Sequence, residues 1–405
     1  MSTCLKYVKS FNVLSMLLLS TVVVVSDVVA SEQGEQWEIN GFITQGYFDS
    51  DVNNFNGHSE SGSFDFREVA LNTAWRPNKD LLLAGQIMSR TAGDVDGGDP
   101  RVDYALLDYR FSESESGYWG VRLGRIKNPF GLYNDTRDVA FTRPSIMLPQ
   151  SIYFDKARNL ELSSDGAMFY GSYLMPSGQI DSELIMGMPQ KDSNVEFAYL
   201  NRDWEGSFDD STGLMWRTMY SSLGYGLRVG FTYGWFSLDF DGPDAPPLGA
   251  PGDGTIDIDV RLLSLQYNSE RWSFTSEYMR QYIDWHALGG VFALDPENTA
   301  ESYYAQLEYR LTPEVSLLLR RDVLYIDIDD RDGLKTQALF GRPPHTQYGK
   351  DWTVGVGWQV DHNWLLRAEW HHIKGTSWLA MQDNPDDNLR EENWDLFALQ
   401  ATYRF

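Results

Sequence analysis

The chain has 405 residues, is 14% aromatic and 42% apolar, and carries a formal charge of −25 with a mean hydropathy of −0.39. No stretch approaches the roughly 18 apolar residues of a membrane helix, which excludes a helical membrane protein, and the aromatic content excludes a disordered chain. The acidic balance excludes a nucleic-acid binder, which needs a basic face.

In chain order, residues 1–30 read as a secretory signal. Lys6 and Lys9 precede an apolar core at 13–25, and Val28-Val29-Ala30 forms a small-residue cleavage site before Ser31. Cleavage leaves 31–405 as one domain. It removes the sole cysteine, Cys4, so disulfides, cysteine-ligated metals and cysteine nucleophiles are excluded from the mature chain. It also leaves 31 basic against 57 acidic residues, a net charge of −26.

From residue 37 to the end the pattern is all-β. Segments of about 9–15 residues alternate with period two and are rich in Tyr, Trp, Phe, Val, Leu and Thr. Sixteen strands are predicted: 37–48, 63–76, 81–92, 101–112, 118–126, 165–175, 180–189, 212–221, 226–240, 257–268, 271–283, 300–312, 315–326, 351–361, 364–374 and 394–405. Trp352, Val354, Val356, Trp358 and Val360 alternate with Thr353, Gly355, Gly357, Gln359 and Asp361. Small or charged residues opposite large aromatics would leave voids or unpaired charges in a dry core, whereas they suit a wet lumen. Arg320-Arg321 and His371-His372 interrupt the alternation in strands 13 and 15.

Connections alternate in length. Short turns such as 76–80, 175–179, 268–271, 312–314 and 361–363 separate long polar segments at 49–62, 93–100, 127–164, 190–211, 241–256, 284–299, 327–350 and 375–393. This rhythm and the even strand count predict a transmembrane antiparallel β-barrel of the bacterial outer membrane, with short periplasmic turns and long extracellular loops. The chain ends in Tyr403-Arg404-Phe405, with Leu399, Ala401, Tyr403 and Phe405 on one face. An aromatic final residue on an alternating strand resembles the signal by which the barrel assembly machinery recognises its clients.

After strand 5 the chain reads Gly124-Arg125-Ile126-Lys127-Asn128-Pro129-Phe130-Gly131-Leu132-Tyr133. This stretch resembles the G-x-x-K-x-P-F-G segment of the phosphate-selective porin O/P family, with Tyr133 where that family commonly has an acidic residue. The resemblance implies a 16-stranded Gram-negative porin, a homotrimer, and a loop after strand 5 that folds into the lumen. Residues 139–154 are too apolar for a solvated loop, which independently suggests packing against a wall. Candidate lining residues of that constriction are Lys127, Arg137, Arg143 and Arg158, which ion pairs with neighbours such as Asp135 or Asp138 would also explain. By strand parity Arg110, Arg217, Arg228, Arg310, Arg367, Glu68, Asp108, Glu308 and Glu369 face the lumen. Residues 127–160 hold five basic and three acidic side chains, a net of +2 against a strongly acidic remainder. A low-dielectric constriction focuses such a charge and favours anions weakly.

The expected function is passive diffusion of small hydrophilic solutes or ions. The alternatives are a channel specific for phosphate or another oxyanion, or a surface structural protein or adhesin built on a barrel. Expected partners are outer-membrane lipid and lipopolysaccharide, the assembly machinery and further copies of the chain. No cofactor is implied. Aligning Gly333 with the glycine of a calcium loop puts Ile328 at the first ligand position and Leu339 at the twelfth, so 327–333 reads as a solvated turn. His371 and Glu369 share a face, but no nucleophile motif accompanies them, and no enzyme is expected.

Overall fold

A computed structural model describes residues 36–202 and 204–405. The predicted signal segment and cleavage site lie outside the described residues. Sixteen long strands form one closed antiparallel sheet: β1 (Gln36–Ser50), β2 (Ser63–Asn78), β3 (Leu81–Ala92), β4 (Arg101–Ser114), β5 (Gly117–Lys127), β6 (Ser163–Met175), β7 (Gly178–Pro189) and β8 (Ser207–Ser222) make the first half. The second half is β9 (Leu227–Asp241), β10 (Gly254–Asn268), β11 (Trp272–His286), β12 (Glu297–Arg310), β13 (Val315–Tyr325), β14 (Tyr348–Gln359), β15 (Trp364–Gly375) and β16 (Asn393–Arg404). A two-residue piece, Asp96–Gly97, pairs with β3 beside the ring.

Each strand pairs with its sequence neighbours, and β16 closes on β1 from Phe42 opposite Arg404 to Ser50 opposite Leu396. Closure satisfies every edge, which a spanning sheet requires because lipid offers no hydrogen-bond partner. Phe405 extends the seam: its N–H donates to Gly41 O at 3.0 Å, and Gly41 N–H donates to Phe405 O at 3.1 Å.

The alternation has a direct structural reading. Trp352, Val354, Val356 and Trp358 lie exposed on the outer wall, while Thr353 between them is fully buried on the inner face. Aromatic pairs lie on the outer wall near the short turns: Trp37 stacks on Trp75 at 5.3 Å, while Trp364 with Tyr403 at 5.0 Å and Trp272 with Tyr309 at 4.3 Å meet tilted. Such amphipathic rings suit the interface between hydrocarbon and water.

The two doublets keep the alternation. Arg320 and His371 are buried on the inner face, while Arg321 lies over outward Trp352 at 5.0 Å and His372 stacks on outward Trp370 at 5.9 Å. A long cation or an imidazole on the outer wall is tolerated beside an aromatic ring near the membrane surface. The largest displacement from the predicted boundaries is in β8, which begins at Ser207 instead of 212. A register shift between Leu238 and Phe240 lets the pairing continue, and Phe208 packs on Phe240 at 5.6 Å.

Candidate pore constriction

The connection from β5 to β6 starts at the motif singled out in the sequence. Gly131 adopts φ 56°, the left-handed region that only glycine enters cheaply. A Cβ there would collide with the Tyr153 hydroxyl and the Glu277 carboxylate. Gly131 is thus the point where the backbone leaves the wall and crosses inward. Its N–H donates to Thr232 on β9 at 3.4 Å, and its carbonyl accepts from Arg217 on β8 at 2.9 Å.

Glu277 on β11 anchors the first turn of the loop. It is buried and accepts from Ser264 at 2.6 Å, Tyr153 at 2.7 Å, Tyr304 at 2.9 Å and the Leu132 N–H at 3.0 Å. Four donors compensate the removal of one carboxylate from water. Phe130 packs edge-on against Tyr153 at 5.9 Å. The apolar middle of the loop then crosses the lumen. Leu148, Ile152 and Tyr153 join a cluster with inward residues of β8 to β12, including Ile258, Leu262 and Met279. Ile146 and Met147 pack instead with Phe48, Phe66, Ile373 and Trp394.

Inward polar side chains of the far wall hold the backbone there. Arg320 donates to Met147 O at 2.9 Å, Glu369 accepts from Ile146 N–H at 2.7 Å, and Asp322 accepts from Ser151 N–H at 3.3 Å. Arg367 donates to Ala140 O at 2.8 Å and also to Arg143 O. The loop therefore spans the barrel from β8 to β15, and backbone groups that its own turns leave free end on barrel side chains.

The predicted constriction cations are paired, Arg137, Arg143 and Arg158 buried and Lys127 half-buried. Lys127 reaches Asp103 at 2.6 Å and Asp138 at 2.9 Å. Arg137 reaches Asp155 at 3.4 Å and Glu161 at 3.5 Å, and donates to Tyr153 O at 3.1 Å. Arg158 pairs with Asp138 and Asp155. Arg143 lies 3.7 Å from Glu68. Of the four, Arg143 alone borders the open space toward the short turns. The other three brace the loop, because a charge withdrawn from water in a packed segment is retained only beside an opposite one.

The parity residues divide between the anchor and the open lumen. Glu68 is shared by Arg143 and Arg90. Asp108 pairs with Arg122 at 2.9 Å, and Arg217 with Glu183 and, at 2.8 Å, Asp135. Arg367 and Glu369 hold the loop as described. Arg110 lies over Tyr118 at 4.5 Å, and Arg228 donates to Gln266 at 3.2 Å. Glu308 and Arg310 border the same short-turn space as Arg143. Arg90 and Glu277, which strand parity alone could have placed inside, were missed by reading the motif and its loop. Arg90 lies within 3.6 Å of Glu68, Asp96 and Asp155. Tyr403 and Phe405 stack on one another at 6.3 Å on the outer face.

Two open spaces flank the loop. The one toward the short turns holds about 360 Å³ and is polar, with Gln266, Thr275, Gln306, Glu308 and Arg310 on its wall. The one toward the long loops holds about 560 Å³. Helix α2 (Ser193–Leu200), which follows the one-turn α1 (Arg158–Leu162), leans over the second space. Its N-terminus is capped by Asp192, and Tyr199 receives bonds from Gln281 at 3.1 Å and Trp285 at 3.0 Å. The acidic residues of 375–393 serve local bracing: Asp387 binds Arg342 at 2.8 Å and Arg390 at 2.7 Å, and Asp383 accepts from the Asp94 N–H at 2.9 Å. Among the described residues no group of three or more His, Cys, Asp and Glu is placed to hold a metal ion.

No family model and no curated protein matches this sequence. Solved structures do. OmpT of Vibrio cholerae superimposes with a TM-score of 0.58 at 11% identity, over 94% of this chain and all of that one. An anion-selective porin from Comamonas acidovorans gives 0.55 at 10%, over 92% of this chain and all of that one. The outer membrane channel DcaP of Acinetobacter baumannii gives 0.54 at 13%, over 93% and 99%. The resemblance to the phosphate-selective O/P family thus has no match behind it, and what is common to these structures is the coarser likeness: the chain has the fold of 16-stranded outer-membrane porins.

Proposed function

We propose that this protein is an outer-membrane channel for passive diffusion of small hydrophilic solutes or ions, with a weak preference for anions. The observation that carries the reading is a loop spanning a wide barrel with open space on both sides of it, polar toward the short turns. The sign rests on which charges remain uncompensated. The short-turn space is bordered by three cations, Arg143, Arg310 and Arg367, against two carboxylates, Glu308 and Glu314. Low-dielectric walls amplify such an excess. Planar-bilayer conductance in a salt gradient tests both parts. The expected result is a stable open current whose reversal potential favours chloride, shifted toward cations in Arg310→Glu. Absence of current would overturn the reading in favour of a barrel used as a surface structure.

An oxyanion-specific channel is favoured by one feature, the gathering of Arg143, Arg310 and Arg367 around a single polar space. Reduction of the chloride current by millimolar phosphate would select that reading. The mature chain is exported by its signal segment, assembles as a homotrimer and is recognised through Tyr403 and Phe405. The seam bonds of Phe405 support the last point, since deletion removes both a signal and two closing hydrogen bonds. Surface levels of the Phe405 deletion are expected to collapse, as read by whole-cell labelling.

A further inference from the structure

The space on the long-loop side differs from the polar one below it. Trp204, Trp285, Phe292 and Phe340 border it, together with apolar parts of the wall such as Met279 and Ile283. Trp285 and Phe292 stack with ring centres 5.9 Å apart. Aromatic walls in contact with water give little to a small hydrated ion, because they cannot replace its hydration shell. They give much to a flat apolar body, whose area they remove from water.

The charges around this space are unevenly matched. Its four carboxylates all sit beside cations: Glu161 lies 3.5 Å from Arg137, Asp387 lies 2.8 Å from Arg342, and Asp295 and Asp327 share Lys335 at 2.9 Å and 3.4 Å. Two of its cations have none among the described residues. Lys156, on the loop that spans the lumen, donates to Ser377 O at 2.7 Å and lies over the Phe154 ring at 5.1 Å. Arg202 lies over the Trp204 ring at 4.9 Å. An aromatic face holds a cation weakly and leaves its charge available to an anion.

We propose that this chamber binds small organic anions with a flat apolar body, of the aromatic carboxylate class, with the carboxylate at Lys156 and the ring among Trp204, Phe292 and Phe340. A cationic counterpart finds no free carboxylate there, and inorganic phosphate finds no use for the aromatic wall. The proposal extends the channel reading: a solute held at Lys156 sits directly against the loop that constricts the lumen, so the chamber concentrates it where passage begins.

The test is equilibrium dialysis of the refolded full-length mature protein in detergent with labelled benzoate, using benzyl alcohol, benzylammonium and phosphate as competitors. Saturable benzoate binding is expected, with benzyl alcohol and phosphate at least about tenfold weaker as competitors, since each supplies only half of the recognition. Lys156→Met and Trp204→Leu are each expected to weaken benzoate by about tenfold or more, with heat-modifiable migration on a detergent gel reporting that each variant is folded. Equal competition by benzyl alcohol or benzylammonium, or unchanged binding in folded Lys156→Met, would overturn the site. Conductance is measured in parallel. Current without benzoate binding removes the site and leaves the channel, and binding without current does the reverse.

Discussion

Two long connections of this barrel have opposite fates. The loop 128–162 is drawn into the lumen, with Ile146, Leu148, Ile152 and Tyr153 almost fully removed from solvent. The loop 242–253 stays at the mouth, beside the long-loop space, and its Leu248 is fully exposed. Both carry charge, so charge does not decide. The inner loop has a continuous apolar middle that gains by burial against inward Ile258, Leu262 and Met279, and its charges other than Lys156 come mostly as opposite pairs. The outer loop is proline- and glycine-rich, uniformly acidic, and has no apolar run to bury. A loop enters a barrel when the wall offers both an apolar surface and inward polar groups that take up its backbone hydrogen bonds.

The sharpest way to break this difference is Glu277→Ala. It strips one buried acceptor from two tyrosine hydroxyls, the Ser264 hydroxyl and the Leu132 N–H, at an expected cost of about 3 kcal/mol to the docked loop. Released from its anchor, the loop should become protease-sensitive and the single-channel conductance should rise. Gly131→Ala acts at the same place through the backbone. A φ of 56° and the collision with Tyr153 and Glu277 should cost about 2 kcal/mol, seen as a lower temperature of heat modification with fold retained.

The pH dependence of anion capture is a finer probe of the inner loop. Burial pushes the Lys156 amine down to about 7, and neighbouring Arg390 and Arg342 push the same way against the opposing pull of Asp387. Below that value the amine is charged and benzoate binding is complete. Above it, binding must take up a proton, so affinity should fall by up to about tenfold per pH unit. Dialysis at pH 6 and pH 8.5 checks the sign, and Lys156→Met should flatten the profile. The smallest effect belongs to the outer loop: Asp244→Asn with Leu248→Ala removes only exposed groups and should change stability by less than about 0.5 kcal/mol and leave conductance unaltered. A large effect there would erase the distinction between the two loops.

By itself the sequence determined the barrel. Alternation of period two is local: each residue's face follows from its neighbour's, so Trp352 outside and Thr353 inside could be read without knowing the partners of β14. The short and long connections and the inward entry of a loop with an apolar middle were legible for the same reason. Only the tertiary structure decided what the loop's charges do. Arg137, Arg158 and Lys127 were legible as cations near a constriction, but their carboxylates at Asp155, Asp138 and Asp103 turn them into braces. The same holds for Glu277, separated from Leu132 by 145 residues, and for Arg320, separated from Met147 by 173. Whether a charge is solvated or spent in a pair depends on which strands the closed ring brings opposite one another, and no local pattern encodes that distance.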